Sequence, residues 1–200
     1  MKPLRLVFAL LLALGTPVWA QNYPALHDVT GVSPDDVLNV RAAPDAGAVK
    51  LDTLTPDATG IEVVAEQDGW GLINTGERSG WASLRHLERR DKGTYPLSRH
   101  LSCAGTEPFW SLDIDQAGGA VFTVPAGTDQ HFETKSLVPA EGRTDRFALL
   151  GPDATLTGTL HRMRCSDGMS DRAYGLDIDL VIRDTEGRRV LAGCCTLQAN

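Results

Sequence analysis

The chain is predicted to be mainly β, with a small barrel followed by a disulfide-stapled antiparallel β barrel or sandwich. Three observations predict this. Short β-type runs follow one another between Gly, Pro, Asn and Asp clusters, and the first half shows no convincing helical spacing of its apolar residues. Several neighbouring runs alternate apolar with polar residues and are joined by tight turn sequences, the mark of antiparallel hairpins. All four cysteines, Cys103, Cys165, Cys194 and Cys195, fall in the second half. Small exported units often need disulfides because their cores give only marginal stability. One stapled half beside one unstapled half implies two units.

The first unit is expected over residues 21–92. Val37 to Arg41 alternates, and Ala43-Pro44-Asp45-Ala46-Gly47 supplies turn chemistry. Val49 to Leu54, Ile61 to Glu66, Trp70 to Asn74 and Gly80 to Leu84 are the further β-type runs. Pro56-Asp57, Gln67-Asp68-Gly69 and Thr75-Gly76-Glu77 punctuate them. Five short strands in about sixty residues suit a small barrel.

Leu38-Asn39-Val40-Arg41, Pro44, the apolar run Ile61 to Val64, Gly69-Trp70 and Gly80-Trp81 stand in an order and spacing that resembles the bacterial SH3 (SH3b) domain. One departure is Asp57-Ala58-Thr59-Gly60, where that family more often has a glycine directly after the strand. The resemblance implies an SH3-like small barrel that binds and tethers rather than catalyses. A surface groove would then be its site. Trp70 and Trp81 offer rigid amphipathic rings for stacking on sugars or packing on peptide. The competing expectation, and the stronger one, is that both indoles fill the barrel. Arg41 is expected to serve its neighbouring loop carbonyls more than a ligand. Asp35, Asp36 and Asp45 at a groove rim would suit amine-bearing partners.

The second unit is expected over residues 93–200, after the polar connector Asp91-Lys92-Gly93-Thr94. Phe109 to Asp115 and Ala120 to Val124 flank Gln116-Ala117-Gly118-Gly119 and read as a hairpin. Leu176, Ile178, Leu180 and Ile182 alternate with Asp177, Asp179, Val181 and Arg183, then turn through Asp184-Thr185-Glu186-Gly187 into Arg188 to Leu197. Three segments here resemble a group of uncharacterised exported bacterial β domains: Gly105-Thr106-Glu107-Pro108-Phe109-Trp110, Cys165 to Asp171, and Gly193-Cys194. Adjacent residues of a strand point to opposite faces, so Cys194 and Cys195 are not expected to bond each other. The resemblance, which places Cys165 and Cys194 inside its motifs, implies the pairs Cys165–Cys194 and Cys103–Cys195.

The chain's beginning reads as a signal peptide over residues 1–20. Lys2 and Arg5 precede an apolar run, Leu6 to Leu14, and Val18-Trp19-Ala20 places small residues at the cleavage positions. Removing it leaves 17 basic residues of the 19 against 26 acidic, net −9. That balance opposes nucleic-acid binding and docking on anionic lipid. A periplasmic or secreted monomer is expected, with no transmembrane segment in the mature chain, no metal and no cofactor.

The Ser166-Asp167-Gly168-Met169-Ser170-Asp171-Arg172 loop is the second unit's best candidate site. Asp167 and Asp171 with two serines could hold a hard cation, but calcium loops offer more carboxylates. Asx-type turns with Asp171 and Arg172 fixing the loop are the plainer expectation. The candidate ligand-binding set is therefore Trp70, Trp81, Arg41, Asp167, Asp171 and Arg172. No catalytic set is expected. A Cys103 thiolate with His131 or His161, and a Glu107–Asp167 carboxylate pair, are the nearest approaches to one. The leading expectation is a non-enzymatic envelope protein whose first unit binds peptidoglycan or a protein partner. The alternatives are an inhibitor or interaction protein acting on a secreted hydrolase through the second unit and, least, a cysteine-dependent cell-wall hydrolase.

Overall fold

Alternating apolar and polar residues carry the chain into strands with little else between them. The structure, a computed structural model, describes residues 23–91, 93–184 and 187–199. The signal-peptide reading and the tip of the last hairpin, residues 185–186, lie outside the described residues. Among the described residues, sixteen strands form two sheets whose neighbours pair antiparallel.

The first sheet holds β1 (Ala25–Val29), β2 (Leu38–Arg41), β3 (Lys50–Leu54), β4 (Ile61–Gln67), β5 (Trp70–Thr75), β6 (Arg78–Ser83) and β7 (Leu87–Arg89), in the order β3-β2-β6-β5-β4-β1-β7. Bulges in the β2–β3 and β4–β5 pairings bend it. One face of it buries Val29, Leu38, Val40, Val63, Ile73, Ala82 and Leu87. The five strands expected from the sequence are all present. β1 and β7, which were not expected, pair with each other at one edge.

The second sheet is a nine-stranded up-and-down meander. Its members are β8 (His100–Thr106), β9 (Phe109–Asp115), β10 (Gly119–Thr123), β11 (Gln130–Phe132), β12 (Val138–Pro139), β13 (Arg146–Leu150), β14 (Leu156–Cys165), β15 (Tyr174–Asp184) and β16 (Gly187–Gln198). Successive strands pair within β8–β11 and within β12–β16, and β16 pairs with β8 to join the two runs, which leaves β11 and β12 at the sheet's edges. Pro139 sits in an edge strand, where its missing N–H breaks no central ladder. Every second residue of the long strands points inward: Leu156 and Leu160 from β14, and Leu176, Ile178, Leu180 and Ile182 from β15, are fully buried.

Both disulfides join the cysteines in the expected pairs. Cys195 lies directly opposite Cys103 across β16–β8, and both sulfurs belong to the core. Cys194, one residue earlier, faces the other side and reaches Cys165 at the end of β14. Strand geometry alone separates the two neighbours.

The two sheets share a seam. Alternation on β1 sends Ala25, His27 and Val29 to one side, while Leu26 packs against the second core. Glu62, its partner in register on β4, accepts a hydrogen bond from the Leu197 N–H at 2.9 Å. Asn74 on β5 forms a reciprocal pair with Ala173: its amide donates to the Ala173 carbonyl at 2.8 Å, and the Ala173 N–H donates to its side-chain oxygen at 2.9 Å.

Candidate functional site

On the β5–β6 hairpin, Gly71, Ile73, Gly80 and Ala82 are buried, so Trp70, Leu72 and Trp81 occupy the opposite face. Trp81 lies opposite Leu72 on β5 and opposite Arg41 on β2. Both tryptophans are half-buried and neither belongs to the first core. This corrects the expectation that they fill the barrel. The inward slots beside them are taken by residues too small or too short to need an indole. A methyl on Gly80 would meet Val40 Cγ1 at 2.6 Å, and one on Gly71 would meet Val63 Cγ1 and Leu84 Cδ2 at 2.9 Å. Core side chains already fill these slots and leave no inward volume for a ring. Arg41 is half-buried, and its Nη1 donates to the Ala48 carbonyl at 2.8 Å, tying β2 to the turn before β3. The result is a strip of Trp70, Leu72, Trp81 and Arg41 across three strands.

The Cys165–Arg172 loop is built around Asp167. Its Oδ1 accepts the N–H groups of Met169 and Ser170 at 3.0 Å each. Its Oδ2 accepts the Ser170 hydroxyl at 2.7 Å and the Tyr174 phenol at 2.9 Å. Burial raises the Asp167 pKa, but the Ser170 amide and hydroxyl, the Met169 amide and the Tyr174 hydroxyl outweigh it. They hold the carboxyl well below the usual range. A carboxylate committed to four donors has little capacity left for a cation.

Asp171 and Arg172 act elsewhere. The Asp171 N–H donates to Glu77 O, and Asp171 O accepts the Ser79 N–H, both at 3.0 Å, so the loop adds a short parallel bridge to β6. Arg172 reaches Gly76 O through Nη1 at 3.4 Å and lies over the Tyr174 ring at 5.7 Å. Asp167, Asp171 and Arg172 are thus brought together, but as the clasp between the sheets. They do not meet Trp70 and Trp81 in one pocket. The sequence signal for this clasp was slight: each contact joins residues about a hundred positions apart.

The motif glycines make room for Trp110. A methyl on Gly105 would meet the Ala192 carbonyl at 2.6 Å, and one on Gly193 would meet Trp110 Cζ2 at 2.7 Å. The indole lies buried over both and stacks with Phe122 at 6.0 Å. Thr106 donates to Asp167 O at 3.1 Å, which seats the Glu107–Phe109 tip beside the loop. Phe109 and Met169, on these two adjacent turns, are 54% and 67% exposed. Glu107 is exposed at the tip, and Cys103 is bonded to Cys195, so its sulfur is no nucleophile.

Glu62 is the perturbed acid of the seam. Burial between the sheets pushes its carboxyl up to about 8, against the opposing pull of the Leu197 N–H and the Arg172 charge. Among the described residues no helix is long and apolar enough to cross a membrane, and no cluster of His, Cys, Asp and Glu has the arrangement of a metal site. No family model, curated protein or solved structure matches the chain. What fold and site define is a class: a two-sheet, all-β, disulfide-stapled protein with an aromatic strip on one sheet and a clasp to the other.

Proposed function

We propose that the protein is an exported, monomeric, non-enzymatic envelope protein that binds peptidoglycan or an envelope protein through its first unit, an SH3b-like domain. One observation carries this reading: Trp70 and Trp81 lie on the outer face of a hairpin, flanked by Leu72 and Arg41, instead of in the core. Rigid indoles lose little entropy on contact and stack on sugar or peptide alike. The two disulfides suit an oxidising compartment, periplasmic or extracellular.

The test is sedimentation of the mature oxidised chain with purified peptidoglycan. Retention is expected, reduced roughly tenfold in W70A, since an aromatic anchor contributes on the order of 1–2 kcal/mol. Thermal melts show whether the variant is folded. A folded W70A that sediments like wild type removes the strip as the site, and a wild type that stays in solution removes the cell-wall version. A second reading, a protein contact through the second unit as in an inhibitor of a secreted hydrolase, is favoured by the exposed Phe109 and Met169 on adjoining turns.

A further inference from the structure

A cleft of about 710 Å³ opens where the two sheets meet the connector. Its walls come from residues 24–26 at β1, residues 89–91 behind β7, the segment leading into β8, Arg162 of β14 and Leu197 of β16. Small-molecule sites run from roughly 300 to 1,000 Å³ and favour junctions between units.

The charge in this cleft runs against that of the whole chain. Arg89, Arg90, Arg99 and Arg162 line it beside one carboxylate, Asp91, in a protein of net charge −7. Arg90 and Arg99 are answered by carboxylates, and Arg89 lies over the Tyr23 ring at 5.7 Å. Arg90 Nε lies 2.8 Å from the Asp28 carboxylate, and Arg99 holds Asp115 in a two-pronged contact at 2.9 Å.

Arg162 is not answered. Among the described residues no carboxylate pairs with it. Its Nε is buried with no partner, and its Nη1 reaches the Pro24 carbonyl only at 3.5 Å, the long limit of a hydrogen bond. The guanidinium rests over the Phe147 ring at 5.5 Å. Burial pushes its pKa down to about 10, with the like charge of Arg89 adding to the effect, so it stays cationic at neutral pH. A half-buried cation without a counter-ion, one of whose N–H groups is buried unpaired, is costly. A fold that keeps one in the wall of a cleft leaves its neutralisation to an anion from outside.

We infer that this cleft binds a small amphipathic anion, its carboxylate or phosphate head on Arg162 and its apolar body against Leu26, Leu97, Leu197 and the Tyr95 ring. The planar fork of a guanidinium suits either head. The apolar walls set the other half of the requirement. This site is separate from the tryptophan strip and does not depend on it.

Calorimetric titration of the mature oxidised chain with octanoate, octyl phosphate, octanol and octylamine tests the inference. Octanoate and octyl phosphate are expected to saturate one site, and whichever binds more tightly identifies the head. Octanol and octylamine should bind at least about tenfold more weakly, because they lack the charge-assisted contact. Arg162→Gln should erase that preference and R162K should keep part of it. Thr94→Asp, an exposed change on the cleft wall, should weaken both anions several-fold without touching either core, and it serves if R162Q does not fold. Equal binding of octanoate and octanol by the wild type, no saturable binding of either anion, or a folded R162Q with unchanged preference would each overturn the proposal.

Discussion

His27 and Glu62 stand on the paired strands β1 and β4 and respond to pH in opposite directions. Burial lowers the His27 pKa, and its Nδ1 lies 3.0 Å from the Ala25 carbonyl. The stability His27 contributes is therefore present above the unfolded imidazole pKa of about 6.5 and is lost as pH falls. Glu62 runs the other way, because its folded value is raised to about 8. Its contribution is complete below the unfolded carboxylate pKa of about 4.3 and is lost as pH rises through 8. Glu62→Gln keeps an oxygen for the Leu197 N–H and removes the ionisation. The variant should match wild type near pH 5 and become more stable than it by on the order of a few kcal/mol at pH 9. Urea titrations across that range check this, and parallel curves for the two proteins would refute it. Neither residue was legible as special in the sequence. An isolated His in Ala-Leu-His-Asp-Val and a Glu in Ile-Glu-Val-Val look like ordinary strand residues until folding encloses them.

The Cys165–Arg172 loop joins covalent and polar restraint in one element. Cys165 anchors its start to Cys194, and Asp167 gathers two amides and two hydroxyls within a few residues. Replacing Asp167 by Ala strands those donors and should cost about 1–3 kcal/mol in denaturant unfolding. Because the loop carries the bridge to β6, amide exchange at Ser79 and Asp171 should accelerate as well. Unchanged exchange there would mean that the clasp holds without Asp167. The depressed Asp167 pKa adds a pH signature. Its stabilisation is present above the unfolded value near 3.9 and is lost as pH falls through the lower folded value. The internal turn chemistry of this loop could be read from Ser-Asp-Gly-Met-Ser-Asp, since short polar side chains bond nearby amides. Its docking could not be, because backbone pairing to a distant strand leaves no trace in composition. The strands divide in the same way. β15 and β16 were legible because four inward aliphatics alternate without interruption. β14 was not, because Gly158 occupies an inward slot and breaks the apolar pattern. β11 and β12, at three and two residues, are shorter than any alternation can mark.

Two cores, one stapled and one not, behave as one molecule only if the seam transmits their stability. The first sheet buries a small set of aliphatics and no disulfide, so its own core is modest. What ties it to the larger sheet is mainly polar and directional: the Asn74–Ala173 exchange, the Asp171 bridge to Glu77 and Ser79, and the Glu62–Leu197 bond, with Leu26 as an apolar peg. The groups on Ala173 and Leu197 are buried backbone that would otherwise be unpaired, so losing their partners costs more than the bonds themselves contribute. The oxidised wild type should therefore unfold in one transition, with tryptophan fluorescence, reporting both sheets, coinciding with far-UV circular dichroism. Asn74→Ala leaves the Ala173 N–H and carbonyl without their partner at the seam and should cost about 2–3 kcal/mol. It should also lower the denaturant slope as the smaller sheet begins to unfold ahead of the stapled one. Two resolved transitions in the wild type, or an N74A variant with unchanged midpoint and slope, would mean that the sheets are neighbours without being coupled. In that case an isolated first unit would be expected to keep its stability, whereas a coupled seam makes the stapled sheet the support on which the tryptophan strip is held.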